Sequence, residues 1–331
     1  MPEPMRILSI DGGGIRGVIP AIVLKEIEER TEMPICRLFD LIVGTSTGGI
    51  IALGLTRPDG NGEPANSAAE ILDLYAEEGG RIFSRTIWHR ARAFGNAMEE
   101  KFPAGPLEEV LKEYLGDARL RDALTDVLVT AYEIERRTPW FFRSRTAQED
   151  AAYDFEMTKV ARATSAAPTY FEPLKLEAEG TVDYWTLVDG GVFANNPAMC
   201  GVAEAMGTYG RDDLIVVSLG TGELTRRIAY EEARDWGLLG WARPILDVVF
   251  DGVSDTVDYQ VKQLCESKEG VRRYHRFQAT LDIGKDDMDD ASATNIHALK
   301  LVGQGLVEKR GSDLDELCET LASAVGQAQA G

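Results

Sequence analysis

Four short apolar runs in this chain end in the same way, on glycine. "MRILSI" (Met5–Ile10) meets Asp11 and then Gly12, Gly13 and Gly14. "FDLIVG" runs into "TSTGG", "YWTLVDGG" stops at Asp189-Gly190-Gly191, and "DLIVVSLGTG" closes on Gly220 and Gly222. A short unbroken apolar run reads as a strand covered on both faces, as in a parallel sheet. Glycine weakens local order, so its recurrence at strand ends needs a cause. In parallel sheets the C-terminal strand ends build the site, and bare backbone lets N–H groups approach negative charge. Between the first two runs, Ile19, Ile22, Val23 and Ile27 recur at helical spacing, predicting a helix over Ile19–Thr31. "IIALGLT" continues from the second glycine turn as another. Strand, helix, strand, helix in direct succession predicts the α/β class.

Arg57–Ser67 is a loop rich in turn residues. Helical character then runs from Ala68 to about Leu115, and "DVLVTAYEI" and "WFFRSR" read as strands. "FEMTKVARATSAAP" predicts a helix ending near Pro168, and "NNPAMCGVAEAMGTYG" one with Pro197 in its first turn. Beyond the fourth glycine turn the chain reads as mostly helical, with "YHRFQATLDI" as a strand. No repeat, low-complexity tract or linker divides it, which favours one domain with helical decorations.

"GTSTGG" is a G-x-S-x-G between a predicted strand and a predicted helix, the context that motif requires. A sharp turn there pushes Ser46 out at the sheet edge, and the following helix points its positive end at the site. A serine nucleophile needs a base. The chain has three histidines. His89 lies among arginines, His275 in the basic strand "RRYHRF", and His297 at a helix start; each reads as a surface or edge residue. An acid is the alternative, and Asp189 is delivered to the same sheet edge with glycines leaving room around it. Taken alone, Asp189 also reads as a turn cap, a common use of Asp-Gly. The N–H groups of Gly12, Gly13 and Gly14 are candidates to hold the oxyanion formed when Ser46 attacks a carbonyl, with Arg16 shaping the loop or adding charge.

Two rivals compete for the glycines. Gly12 to Gly17 also fits the dinucleotide fingerprint, but the acid expected at the end of the second strand is replaced by Gly44-Thr45. An actin-like sugar kinase also opens with Asp-Gly-Gly-Gly, but Ile15 stands where such chains usually place threonine. The net charge of −20 opposes binding of a nucleic-acid polymer. No segment approaches the roughly 18 apolar residues of a membrane span, and no signal peptide is evident. Cys36, Cys200, Cys265 and Cys318 form no CxxC pair, so neither a zinc site nor a disulfide framework is expected, and a reducing cytoplasm fits best.

"DGGGIRG" (Asp11–Gly17), "GTSTGG" (Gly44–Gly49) and "DGG" (Asp189–Gly191), with "ATSAAPTYF" and "DGGVFANNP", resemble patatin-like phospholipases in order and context. The resemblance runs from about Met5 to Gly222 and is only loose after about Thr225. It implies a three-layer α/β/α fold with a mostly parallel central sheet and additional helices. Residues 1–225 would be the catalytic core, and 226–331 a mostly helical extension on the same domain. Ser46 matches the family nucleophile, Asp189 its dyad acid, Gly12, Gly13 and Gly14 the oxyanion loop, and Arg16 the arginine of that loop. The implied activity is hydrolysis of lipid acyl esters, of phospholipase A or lysophospholipase type, without metal or cofactor. Some bacterial relatives are antiphage effectors switched on by a nucleotide. A nucleotide activator, a homo-oligomer or a silent scaffold therefore stays open, and no residue here assigns one.

A lipid hydrolase must meet an interface, so peripheral membrane contact is expected. "RTIWHRARAFGNAM", with Trp88, Phe94, Arg85, Arg90 and Arg92, has a suitable composition. So has "RDWGLLGWARPILDVVF", with Trp236, Leu238, Leu239, Trp241 and Ile245. The ordinary reading of both is core or a helix seam. "GKDDMDDAS" (Gly284–Ser292) clusters Asp286, Asp287, Asp289 and Asp290, but it lacks the glycine and closing glutamate of a calcium loop and reads as a solvated acidic loop. Leu314, Leu317, Leu321 and Val325 mark one face of a C-terminal helix that packs on the domain or on a second chain.

Overall fold

The computed structural model describes residues 3–82, 102–177, 183–223, 228–241, 244–265, 271–283 and 287–330. Eight strands form one sheet: β1 (Met5–Ile10), β2 (Leu41–Thr45), β3 (Asp126–Glu133), β4 (Thr138–Arg143), β5 (Leu174–Glu177), β6 (Tyr184–Asp189), β7 (Leu214–Leu219) and β8 (Tyr274–Phe277). The order is β5-β6-β3-β2-β1-β7-β8, with β4 also on β3. β3, β2, β1, β7 and β8 run parallel, while β4, β5 and β6 add antiparallel pairs.

Among the described residues the helices of eight residues or more are α1 (Val18–Thr31), α2 (Thr47–Thr56), α3 (Ala68–Ile82), α4 (Ala104–Leu115), α5 (Met157–Thr164), α6 (Ala198–Gly207), α7 (Pro244–Leu264), α8 (Ala293–Lys309) and α9 (Gly311–Ala330). Strand side chains alternate between two cores. Ile7, Val43, Leu128 and Val216 meet α6 and α7, while Leu8, Ile10, Ile42, Val129 and Val217 join the larger core of α1, α2, α5, α8 and α9. This is a three-layer α/β/α arrangement, and it explains the unbroken apolar runs: a strand covered on both faces has no polar side.

Most predicted elements form. The helical stretch from Ala68 includes α3 and α4, with Pro103 as the N-cap of α4; Trp88, Phe94 and the arginines between them lie outside the described residues. Pro197 is the N-cap of α6 rather than a residue of its first turn. α5 stops at Thr164, short of Pro168. "YHRFQATLDI" keeps only Tyr274–Phe277 as a strand, because the ladder ends at the pair Leu219–Phe277, where β7 gives way to its glycine turn. The sheet does not stop at residue 225, since β8 comes from beyond it. Leu314, Leu317 and Leu321 are fully buried in the same core as Ile19 and Ile22, so α9 packs on this chain.

Candidate active site

Ser46 stands between β2 and α2 with φ 54° and ψ −122°, a backbone that non-glycine residues seldom adopt. The glycines around it are steric necessities. A Cβ on Gly44 would lie 2.3 Å from the Gly48 carbonyl oxygen, and one on Gly48 would lie 2.1 Å from that of Ile10. Two contacts hold the elbow. The Ser46 N–H donates to Thr164 Oγ1 at 2.8 Å, and Tyr75 Oη donates to the Thr47 carbonyl at 3.0 Å, the two hydroxyls of Tyr75 and Thr47 also being paired.

Asp189 reaches Ser46 through β3. β4 occupies one edge of β3 along Leu128–Glu133, so β2 and β6 share the other. β2 arrives parallel and its last residue, Thr45, pairs with Thr130; β6 arrives antiparallel and its last residue, Asp189, pairs with Ala131. Neighbouring residues of β3 thus bring the two strand ends together. Ser46 and Asp189 line one pocket, and the Gly191 N–H donates to Asp189 Oδ1 at 2.7 Å. Burial, with 2% of Asp189 exposed, pushes its carboxyl up to about 7 against the opposing pull of the Ser46 hydroxyl and the Gly191 N–H.

The glycine loop lies beside them, but its three amides are not equivalent. The Gly12 N–H donates to the Asn195 carbonyl at 2.9 Å, so that amide is already paired. Gly13 and Gly14 line the same pocket as Ser46 and Asp189, and their N–H groups have no hydrogen-bond partner among the described residues. Gly14 has φ 57°, and a Cβ there would lie 2.2 Å from the Met288 carbonyl oxygen. That carbonyl accepts from the Ile15 N–H at 2.9 Å and pins the loop. Arg16 is buried with Nε 3.4 Å from the Gly13 carbonyl, and it lines a cavity behind the loop rather than the pocket at Ser46. Asp11 anchors the loop's start: its Oδ2 accepts from Arg276 Nη2 at 2.7 Å.

The pocket running from Ser46 is almost wholly apolar, with Ile50, Tyr75, Ile82, Leu107, Phe171 and Phe250 in its wall. No histidine among the described residues stands beside Ser46. His275 is buried on β8, where burial and Arg272 hold it down at about 4, and His297 is exposed on α8; His89 is outside the described residues. The acidic loop is less solvated than its composition suggests. Asp289 is 3% exposed, and Asp290 Oδ1 accepts from the Ser292 N–H at 3.0 Å. Among the described residues no cluster of ligands suits a metal. Sequence reasoning missed Thr164, Tyr75, Asn195 and Met288. Thr164 and Asn195 lie in stretches that carry the resemblance, whereas nothing local marks Tyr75 or Met288.

The family model for patatin-like phospholipases matches residues 8–200. Patatin-like protein 4 of Arabidopsis thaliana is 32% identical over 91% of this chain and 83% of its own length. Patatin of Solanum tuberosum is 32% identical over 93% and 84%, and a relative from the same plant named "Probable inactive patatin-3-Kuras 1" is 31% identical over 94% and 88%.

Proposed function

This chain belongs to the patatin-like phospholipase family, and on that premise we propose that it hydrolyses acyl esters of lipids through Ser46 and Asp189. The observation that carries the reading is the convergence of Ser46 and Asp189 on one pocket, where two strand ends meet on the shared edge of β3. A carboxyl held near neutrality is poised to take a proton at physiological pH, which an ordinary aspartate is not.

In the first half-reaction Asp189 accepts the hydroxyl proton as Ser46 Oγ bonds to the ester carbonyl carbon. The oxygen gains negative charge within reach of the Gly13 and Gly14 N–H groups. These donors are rigid, since Gly12 is tied to Asn195 and Ile15 to Met288, so little reorganisation opposes the step. Collapse expels the alcohol, which takes the proton from Asp189. Water then attacks the acyl-enzyme, with Asp189 again as base, and the fatty acid leaves. The apolar wall suits an acyl chain, which leaves the polar part of the lipid towards the mouth.

Peripheral membrane contact belongs to the same reading. Trp241, Ile245 and Val248 are 38%, 42% and 44% exposed, against the expectation of a core seam, and Phe250 two residues on lines the pocket. Exposed apolar side chains of this kind are what a contact with a bilayer surface would use. Among the described residues no helix is long and apolar enough to span a membrane.

The test is fatty-acid release from mixed phospholipid vesicles, comparing the parent with Ser46→Ala and Asp189→Asn. Loss in both variants supports the dyad. Full activity in Ser46→Ala would overturn the mechanism. A silent parent whose Ser46 is also not labelled by a fluorophosphonate would make this chain a non-catalytic member of its family.

A further inference from the structure

β8 is the outer strand of the parallel side of the sheet, and arginines clasp its free edge. Arg272 Nε donates to the Tyr274 carbonyl at 3.0 Å, and Arg310 Nη1 donates to the Arg276 carbonyl at 3.1 Å. Exposed strand edges are commonly blunted with cations. Here, however, the cations also converge. Arg272, Arg276 and Arg310, with Lys262 from α7, line one cavity of about 360 Å³ that Asp258, Cys265 and Tyr274 complete. In a chain of net charge −20 such a gathering runs against the composition.

The carboxylates around it do not cancel it. Asp258 accepts the Tyr274 hydroxyl at 2.7 Å. Asp313 of α9 takes Arg310 Nε at 2.5 Å and lies 3.6 Å from Arg272. Asp11 takes one end of Arg276, whose other end donates to Ser218 Oγ at 2.8 Å. Among the described residues three carboxylates thus face four cations, and spare donors remain, since Lys262 Nζ, Arg310 Nη2 and Arg276 Nε have no hydrogen-bond partner there. Guanidinium and ammonium donors around a small polar cavity match a tetrahedral oxyanion, which accepts several charge-assisted hydrogen bonds at once.

We propose that this cavity, between α7 and the free edge of β8, binds a phosphate group, and that it is a site separate from the pocket at Ser46. The group is either free phosphate or a phosphomonoester headgroup at a lipid surface; the recognising chemistry is the same. The site is joined to the glycine loop by one side chain, since Arg276 lines the cavity and also holds Asp11. The proposal does not depend on acyl hydrolysis.

The experiment is calorimetric titration of the full chain with inorganic phosphate at constant ionic strength, beside flotation with phosphatidic acid and phosphatidylcholine vesicles. Lys262→Gln and the double variant Lys262→Gln, Arg272→Gln are compared with the parent. Lys262 is exposed and neither residue belongs to the pocket at Ser46, so fold and fatty-acid release serve as controls. Saturable phosphate binding that weakens on the order of a hundredfold in the double variant supports a free-phosphate site. Flotation with phosphatidic acid alone, lost in the variants, supports the headgroup source. No binding in either arm, or equal binding by parent and double variant, overturns the proposal.

Discussion

Replacing Asp189 by asparagine should remove activity and yet stabilise the protein. Asp189 is buried, and burial raises its carboxyl from 3.8 to about 7. A raised acid means that the folded state holds its proton where the unfolded state has lost it. Folding is then increasingly disfavoured as pH rises from the unfolded value to the folded one, and the full cost applies above about 7. At 1.36 kcal/mol per pH unit the shift amounts to about 4 kcal/mol. Asparagine keeps the shape and can accept from the Gly191 N–H, but it carries no charge to bury. The difference in urea-unfolding free energy between Asp189→Asn and the parent should therefore widen by about 3 kcal/mol between about pH 5 and about pH 8.5. Other carboxylates titrate in both proteins and cancel in that difference. A gap that stays constant with pH, or a variant less stable than the parent at the higher pH, would refute the reasoning.

Other outcomes follow from the same geometry. Parent kcat/KM should climb with pH to a plateau, with its midpoint near about 7, because the ionised form of Asp189 is the base; a profile flat across neutrality would exclude Asp189 from that role. Gly13→Ala places a Cβ 2.3 Å from Thr221 Oγ1, so the loop must shift, and activity should fall on the order of a hundredfold while circular dichroism stays that of the parent. Tyr75→Phe removes the donor to the Thr47 carbonyl and should lower kcat with KM little changed, at about 1 kcal/mol of stability in urea. Leu317→Ala, at a fully buried position of α9, should cost about 2–5 kcal/mol, and normal stability would mean that α9 is not docked in solution.

Ser46 and Asp189 were legible because their motifs are local. Each sits on a strand end with glycines beside it, and each glycine answers to a neighbour within the turn or across one ladder. The loop's division of labour was not legible. Gly12, Gly13 and Gly14 are identical as letters, and only the Asn195 carbonyl, far along the chain, distinguishes the first from the others. Arg16 was ambiguous for the same reason: its direction is set by tertiary packing. "DDMDDAS" misled because its charge suggested solvent, whereas Met288 contributes a backbone carbonyl, a group that every residue carries. Trp241, Ile245 and Val248 misled in the opposite sense, since apolar composition cannot distinguish a seam from a rim.

The tie between Ile15 and Met288 has a consequence in time. A ribosome makes Ser46 and Asp189 first, and the carbonyl that pins the glycine loop is added about a hundred residues after Asp189. Earlier still, β1 lacks its neighbour β7 until Leu219 is made, and the sheet lacks β8 until Phe277 is made. A nascent chain can therefore carry both side chains of the proposed dyad while the glycine loop beside them is still unpinned. On the proposed mechanism, hydrolysis waits for residue 288, and a product ending before it lacks the carbonyl that pins the loop.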